Sequence, residues 1–306
     1  MTVDRATRRL YDDSGRARLP DRSGFATSPD GVRIAFDVYG SGNPTILFMP
    51  SAPIIHSRQW KGQVPYLSLR HRVITFDGRG NGRSDRPTDA SSYTRDRIFG
   101  DIESVLDAAE TERAVFVGLC GDAVWPSVQF AAAKPDRVLG IVIFAVGVPL
   151  LSAPHPWRVQ HSFEDDPPAN DEWALINRGV YQRDYAAFAK FFFTALATES
   201  HSTKLVEDMV GWALDGTPEA MIADADVKLA LDREGVEAVC AAVRCPILIV
   251  HGTDDVCQPP ARAHRLAEIT GARLVVVDGA GHLIPGRHPV LANLLIRDFV
   301  RSLEAP

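Results

Sequence analysis

Residues 115–122 have the sequence VFVGLCGD, in which a short apolar run ends at a cysteine flanked by small residues. The run Val115–Gly118 predicts a buried strand, and the stretch Gly121–Ala133 predicts the helix that follows it. A residue at so sharp a strand-to-helix turn is held out at the edge of the sheet. There, the unpaired N–H groups and the dipole of the helix favour a thiolate. Cys120 is therefore a candidate nucleophile.

The rest of the chain alternates short apolar runs with longer amphipathic stretches. Continuous apolar runs are typical of strands that are buried on both faces. Further strands are predicted at Val32–Val38, Thr45–Met49, Val73–Phe76, Val138–Val146, Ile247–Val250 and Leu274–Val277. Helices are predicted over residues 98–109, Arg262–Ile269 and Pro289–Leu303. This alternation predicts an α/β fold with a mostly parallel, doubly wound sheet.

One long stretch, at about residues 150–235, interrupts this alternation of strands and helices. It opens with several prolines and continues as helical sequence rich in aromatic residues, of which Tyr185, Phe188 and Phe192 fall on one helical face. We interpret it as a helical cap over the carboxyl ends of the strands, with aromatic residues that either pack the cap onto the sheet or line a pocket. The predicted organisation is a flexible N-terminal segment at 1–23, a core at 24–149 and 236–306, and a cap at 150–235.

Composition and charge narrow the class of protein. Hydrophobic residues make up 45% and charged residues 24% of the chain, as in ordinary soluble globular proteins. The net charge of −6 argues against nucleic acid or an anionic membrane as the main partner. The four cysteines are too few for a disulfide scaffold and lack paired zinc-binding spacing. We therefore expect a cytoplasmic protein with no metal and no cofactor.

Two further polar segments follow predicted strands near the C-terminus. Residues 251–255 (HGTDD) and 279–282 (GAGH) come directly after the last two predicted strands. Because the carboxyl ends of parallel strands meet at one edge of a sheet, Asp255 and His282 are expected near Cys120. A nucleophile, a base and an acid that orients the base are the parts that covalent catalysis needs.

With these segments the sequence resembles the α/β-hydrolase superfamily from about residue 24 to residue 303. The matching pieces are Gly118–Asp122, Phe76–Asp85 (FDGRGNGRSD), His251–Asp255 and Gly281-His282. The resemblance implies that Cys120 is the nucleophile, Asp255 the acid and His282 the base. Asp254 fits the acid position less well, because the acid of the family usually stands three residues after the glycine.

The sequence departs from the family pattern at three points. Cysteine replaces the usual serine nucleophile, and Asp122 replaces the second glycine of the turn. Residues 50–53 (PSAP) replace the His-Gly loop that normally supplies the second oxyanion donor. Proline has no N–H, so Pro53 cannot donate. The expected oxyanion donors are the backbone N–H groups of Gly121 and of Ser51 or Ala52.

The predicted activity is acyl-group chemistry through an S-acyl-cysteine intermediate, on an ester or thioester of a small-molecule or carrier-bound acyl group. An acyl-cysteine is itself a thioester, so hydrolysis, acyl transfer and chain-releasing cyclisation remain open, as in thioesterase-like proteins with Cys-His-Asp triads. The alternative is a ligand-binding or regulatory module with weak catalysis. Cys257, two residues past Asp255, is expected to pack in the core, with an approach to the pocket as the alternative. The predicted pocket residues are Leu119, Trp125, Tyr185, Phe188 and Phe192.

Overall fold

The computed structural model describes residues 18–150, 155, 161–165, 168, 170–227 and 232–303. These residues contain eight strands: β1 (Arg22–Thr27), β2 (Arg33–Tyr39), β3 (Ile46–Phe48), β4 (Val73–Phe76), β5 (Ala114–Leu119), β6 (Val138–Phe144), β7 (Ile247–Gly252) and β8 (Arg273–Val277). They form a sheet in the order β1-β2-β4-β3-β5-β6-β7-β8. The β2 strand is antiparallel to both neighbours, and the remaining pairs are parallel. The predicted fold class is confirmed.

Helices cover both faces of this sheet and build the cap. They are α1 (Val64–Leu67), α2 (Arg95–Ala108), α3 (Gly121–Ala133), α4 (Arg178–Leu196), α5 (Lys204–Leu214), α6 (Pro218–Asp226), α7 (Arg233–Ala241), α8 (Pro260–Thr270), α9 (Ile284–Arg287) and α10 (Pro289–Ser302). Local sequence sets several of their ends. The Asn177 side chain accepts the N–H groups of Gly179 and Val180 at the start of α4. Gly271, in the left-handed conformation, ends α8.

Two apolar clusters lie on opposite faces of the sheet. Successive side chains of a strand point to opposite faces, so Val117 of β5 joins one cluster and Phe116 joins the other. The first cluster also contains the aromatic side chains of α4, and Cys120 packs against it. The second contains apolar residues of α2, α3, α7 and α8. The cap helix α4 and the core therefore share one continuous apolar cluster at the candidate nucleophile.

Four details differ from the sequence-based predictions. The unpredicted strand β1 begins at Arg22, inside the segment expected to be flexible; residues 1–17 lie outside the described residues. The β6 strand ends at Phe144, because Ala145 adopts a positive φ of 52°. The α4 helix is kinked at Asp184. The α7 helix crosses the predicted boundary at 235/236 and packs with the core.

Among the helices of the described residues, none combines the length and the apolar character that crossing a membrane requires.

Candidate active site

Cys120 occupies a strained turn between β5 and α3. Its backbone has φ 65° and ψ −177°, a conformation that residues other than glycine rarely adopt. The turn packs tightly against Gly147, where an added Cβ would lie 2.2 Å from the backbone nitrogen of Gly121. Because Gly147 has no side chain, the turn at Cys120 can pack directly against its backbone. Cys120 is consequently the N-cap of α3, and its side chain is only partly buried at the carboxyl end of β5.

The structure brings the three predicted triad residues together. Nδ1 of His282 lies 2.8 Å from Oδ2 of Asp255, and both side chains are buried. Sγ of Cys120 and a ring nitrogen of His282 lie within 4.8 Å of one another. Because Nδ1 is bound to Asp255, Nε2 is the ring nitrogen available to the thiol. The arrangement is a thiol, an imidazole and a carboxylate in series.

Backbone groups fix the position of the carboxylate. Oδ1 of Asp255 accepts hydrogen bonds from the N–H groups of Cys257 at 2.8 Å and Gln258 at 2.9 Å. His251 braces the same loop: its Nδ1 accepts the N–H of Val146, and its Nε2 lies 3.0 Å from the carbonyl of Gln258. Burial opposes ionisation of Asp255, but the charge of His282 and these hydrogen bonds outweigh it and lower the pKa of Asp255.

The surroundings of Cys120 favour its thiolate. A hydrogen bond from the thiol of Cys257, the charge of His282 and the N–H of Gly121 lower the pKa of Cys120 well below its ordinary value, although burial opposes this. Burial likewise disfavours the imidazolium of His282, but the negative charges of Asp255 and Cys120 prevail and raise the pKa of His282. Both shifts favour a thiolate–imidazolium pair.

Cys257 and Gln258 lie beside Cys120, and the sequence did not single out Gln258. Cys257 packs in the core as expected, and its Sγ also lies within 4.8 Å of both Cys120 Sγ and the His282 ring nitrogen. Nε2 of Gln258 is 3.9 Å from Sγ of Cys120 and 3.7 Å from Sγ of Cys257. The available signal was the place of both residues directly after Asp255. Two sulfur atoms and one imidazole nitrogen converge here, the donor types that zinc prefers.

The loop at 50–53 lies beside the nucleophile turn. The Ser51 hydroxyl donates to the carbonyl of Leu119 at 2.9 Å, one residue before Cys120. Gly78 lets this loop approach β4, since an added Cβ there would lie 2.3 Å from Cβ of Ala52. The loop thus lies directly beside the turn that carries Cys120. The donor roles of Gly121, Ser51 and Ala52 remain predictions.

The predicted pocket residues divide between the two faces of the sheet. Leu119, Tyr185, Phe188 and Phe192 belong to the cluster that contacts Cys120. Trp125 instead packs against the cluster on the opposite face, so the structure does not bring it to the nucleophile. The rings of Phe188 and Phe192 stack at 5.4 Å, and the buried hydroxyl of Tyr185 has no hydrogen-bond partner among the described residues. The described part of the cap therefore offers the site an apolar wall.

Fold and site together define an α/β hydrolase architecture, and comparison with known proteins agrees. Residues 44–289 match the alpha/beta hydrolase fold family, so the chain belongs to that family. The non-heme chloroperoxidase of Streptomyces lividans is 27% identical over 290 residues, which cover 91% of this chain and 100% of that protein. The 2-hydroxymuconate semialdehyde hydrolase of Pseudomonas sp. (strain CF600) is 27% identical, with 90% and 93% covered.

One of the solved structures is also similar to this chain. The enzyme Est816, described as degrading N-acyl homoserine lactones, is 26% identical to this chain. It superposes with a TM-score of 0.71 over 90% of this chain and 100% of its own. The shared architecture therefore extends through nearly the whole chain.

Proposed function

We propose that the protein is an acyl hydrolase that acts through a covalent S-acyl intermediate on Cys120. The thiolate attacks the carbonyl carbon of an ester or thioester, and the carbonyl oxygen becomes an oxyanion stabilised by backbone N–H groups. As the tetrahedral intermediate collapses, the leaving alkoxide or thiolate takes a proton from His282. Water then attacks the acyl-cysteine and loses its proton to His282, and the thiolate of Cys120 departs. Asp255 orients the imidazole and stabilises its charge throughout.

One observation carries this proposal: the strained turn presents Cys120 to an imidazole that is held by a buried carboxylate. Strained backbone clusters at functional sites because the surrounding structure must compensate for it. A structural cysteine would need neither the positive φ nor the charged partner. The lowered pKa of Cys120 is a second, chemical support, since the thiolate is the reactive form.

The proposed substrate is a small-molecule or carrier-bound acyl group, handled in the cytoplasm. The apolar wall formed by Phe188 and Phe192 suits an acyl chain. Relatives described as a 2-hydroxymuconate semialdehyde hydrolase and as an N-acyl homoserine lactone degrading enzyme support hydrolysis as the reaction class. An acyl-cysteine remains activated toward nucleophiles other than water. A cysteine nucleophile is therefore also compatible with acyl transfer to another acceptor and with cyclisation of the acyl chain.

Turnover of a panel of p-nitrophenyl esters and acyl thioesters tests the proposal. We expect hydrolysis of at least one member by the wild-type protein and none above background by Cys120→Ala. Cys245→Ala is the matched control, because Cys245 lies among the residues of the opposite cluster. Equal turnover by wild type and Cys120→Ala would refute the cysteine mechanism. Tight substrate binding without any turnover would favour the ligand-binding alternative.

A further inference from the structure

We propose that Cys120, Cys257 and His282 form a binding site for a thiophilic metal ion, with Zn²⁺ as the physiologically common case. This inference does not depend on the proposed function, because it rests on where three donor atoms lie. The ion would take the two groups that acyl chemistry needs, so metal-bound protein would be unable to acylate Cys120.

The spacing of the donors fits a zinc ion. The two Sγ atoms and the His282 ring nitrogen all lie within 4.8 Å of one another. Tetrahedral zinc, with Zn–S of about 2.3 Å and Zn–N of about 2.0 Å, requires donors about 3.5–3.8 Å apart. Shifts of about 1 Å or less, within the reach of side-chain rotation, would therefore close the three donors around the ion. Two thiolates and one imidazole leave the fourth position for water.

The hydrogen bonds around His282 and the two sulfur atoms are of the kind that support metal ligands. The zinc-binding histidines of proteins usually donate their second ring N–H to a carboxylate, which fixes the ring and raises its basicity. His282 does so to Asp255 at 2.8 Å, and that carboxylate is held by two backbone N–H groups. Gln258 places its amide near both sulfurs, where N–H groups stabilise thiolate charge. The support that suits a catalytic base thus also suits a metal ligand.

The other two cysteines provide the contrast. Cys240 and Cys245 pack among apolar residues of the second cluster, and the charge that acts on Cys240 is the negative one of Glu237 rather than a cation. Burial raises the pKa of Cys240 to about 12 and that of Cys245 to about 11. Both thiols therefore stay protonated at neutral pH, whereas metal ligation requires thiolates. The four cysteines form a ligating pair and a non-ligating pair within one chain.

Zinc affinity measured by competition with a chromophoric chelator, under a non-thiol reductant, tests the site. We expect one ion per chain for the wild type. Cys257→Ser and Cys120→Ser should each weaken binding by about 100-fold or more, since losing even a supporting partner costs 10–100-fold. Cys245→Ser is the matched control and should leave affinity unchanged. Wild-type protein that binds no zinc, or equal affinity in Cys257→Ser, would overturn the proposal.

A second measurement needs no variant and so does not depend on how variants fold. Wild-type protein is alkylated with iodoacetamide with and without Zn²⁺, and the modified peptides are quantified by mass spectrometry. Zinc should protect Cys120 and Cys257 together, and a chelator should restore their reactivity. Alkylation of Cys120 and Cys257 at the same rate with and without zinc would contradict the site, as would protection of Cys120 alone.

Discussion

At the scale of the residue, the conformation of Cys120 sets the chemistry. The positive φ places the thiol beyond the end of β5 and beside His282, while Gly147 leaves the space for this turn. The cost is backbone strain at a residue with a Cβ atom. Reactivity at this position is therefore obtained at the expense of stability.

The strain predicts an unusual order of stabilities. Glycine normally destabilises relative to alanine, but glycine tolerates the φ and ψ of this position. We expect Cys120→Gly to be more stable than Cys120→Ala by about 1–3 kcal/mol in urea unfolding. An alanine variant as stable as the glycine variant would show that the turn is not strained.

The thiolate–imidazolium pair predicts the pH dependence of alkylation at Cys120. A lowered pKa keeps the reactive thiolate down to a pH below its ordinary range, so the rate of the wild type should decline only as pH falls through that lowered value. His282→Ala removes the cation and should raise the pKa of Cys120, which slows alkylation at neutral pH. Cys257→Ala removes a hydrogen-bond donor and should raise it as well.

Peptide mapping of chelator-treated protein across a pH series measures these rates at Cys120 specifically. Cys245→Ala serves as the control and should reproduce the wild-type profile, since Cys245 packs in the opposite cluster. An unchanged profile in His282→Ala would mean that the imidazole is not paired with the thiol.

At the scale of the element, the kinked helix α4 presents aromatic residues with different surroundings. Phe188 is almost completely buried, whereas Phe192 is half-buried and packs at the margin of the same cluster. The two roles predicted for this aromatic face, packing and pocket lining, therefore fit different side chains. Burial indicates packing for Phe188, and a pocket role remains a prediction for Phe192.

Alanine substitutions separate these two roles. Phe188→Ala should lower the free energy of unfolding by about 3–5 kcal/mol, the usual loss for a buried phenylalanine. Phe192→Ala should lose less stability and should shift the preference for acyl-chain length instead. Thermal melts beside kinetics over an acyl-length series measure both. Identical chain-length profiles for Phe192→Ala and wild type would place the pocket elsewhere.

The loop after α4 connects the cap to the loop that carries His282. Oε1 of Glu199 accepts the N–H of Gly281 at 2.8 Å, directly before His282. We expect Glu199→Ala to lower kcat more than KM, because His282 would lose a support on its own loop. Glu199→Gln keeps an acceptor and should restore most of kcat. The control is Glu207→Ala, an exposed cap glutamate bound to Thr203. Equal kcat in Glu199→Ala and wild type would exclude this coupling.

At the scale of the whole molecule, the two clusters make the sheet a buried layer whose carboxyl edge carries the site. The positions of most strands along the chain, and the segments that carry Asp255 and His282, follow from local patterns: β5 is a continuous buried run, and Asp255 and His282 each follow a strand. Such features are visible in sequence because their signal is local. The fold class was therefore predictable.

The remaining features depend on tertiary contacts or on weak local signals. Cys257 reaches Cys120 across 137 positions of chain only because β5 and β7 are brought to the same edge. Trp125 was assigned to the pocket by its place near the nucleophile, yet the rotation of α3 turns it to the other face. Strand β1 is mostly exposed and lacks the apolar alternation that marks a strand. None of these could be read from spacing alone.

Trapping the acyl intermediate tests the central claim most directly. Wild-type protein is mixed with an activated ester that it turns over, quenched in acid within the first turnover, and analysed by intact-mass and peptide mass spectrometry. The account predicts a mass increase of one acyl group, located on Cys120 and absent from Cys120→Ala. An acyl group on any other residue, or undiminished turnover in Cys120→Ala, would contradict it.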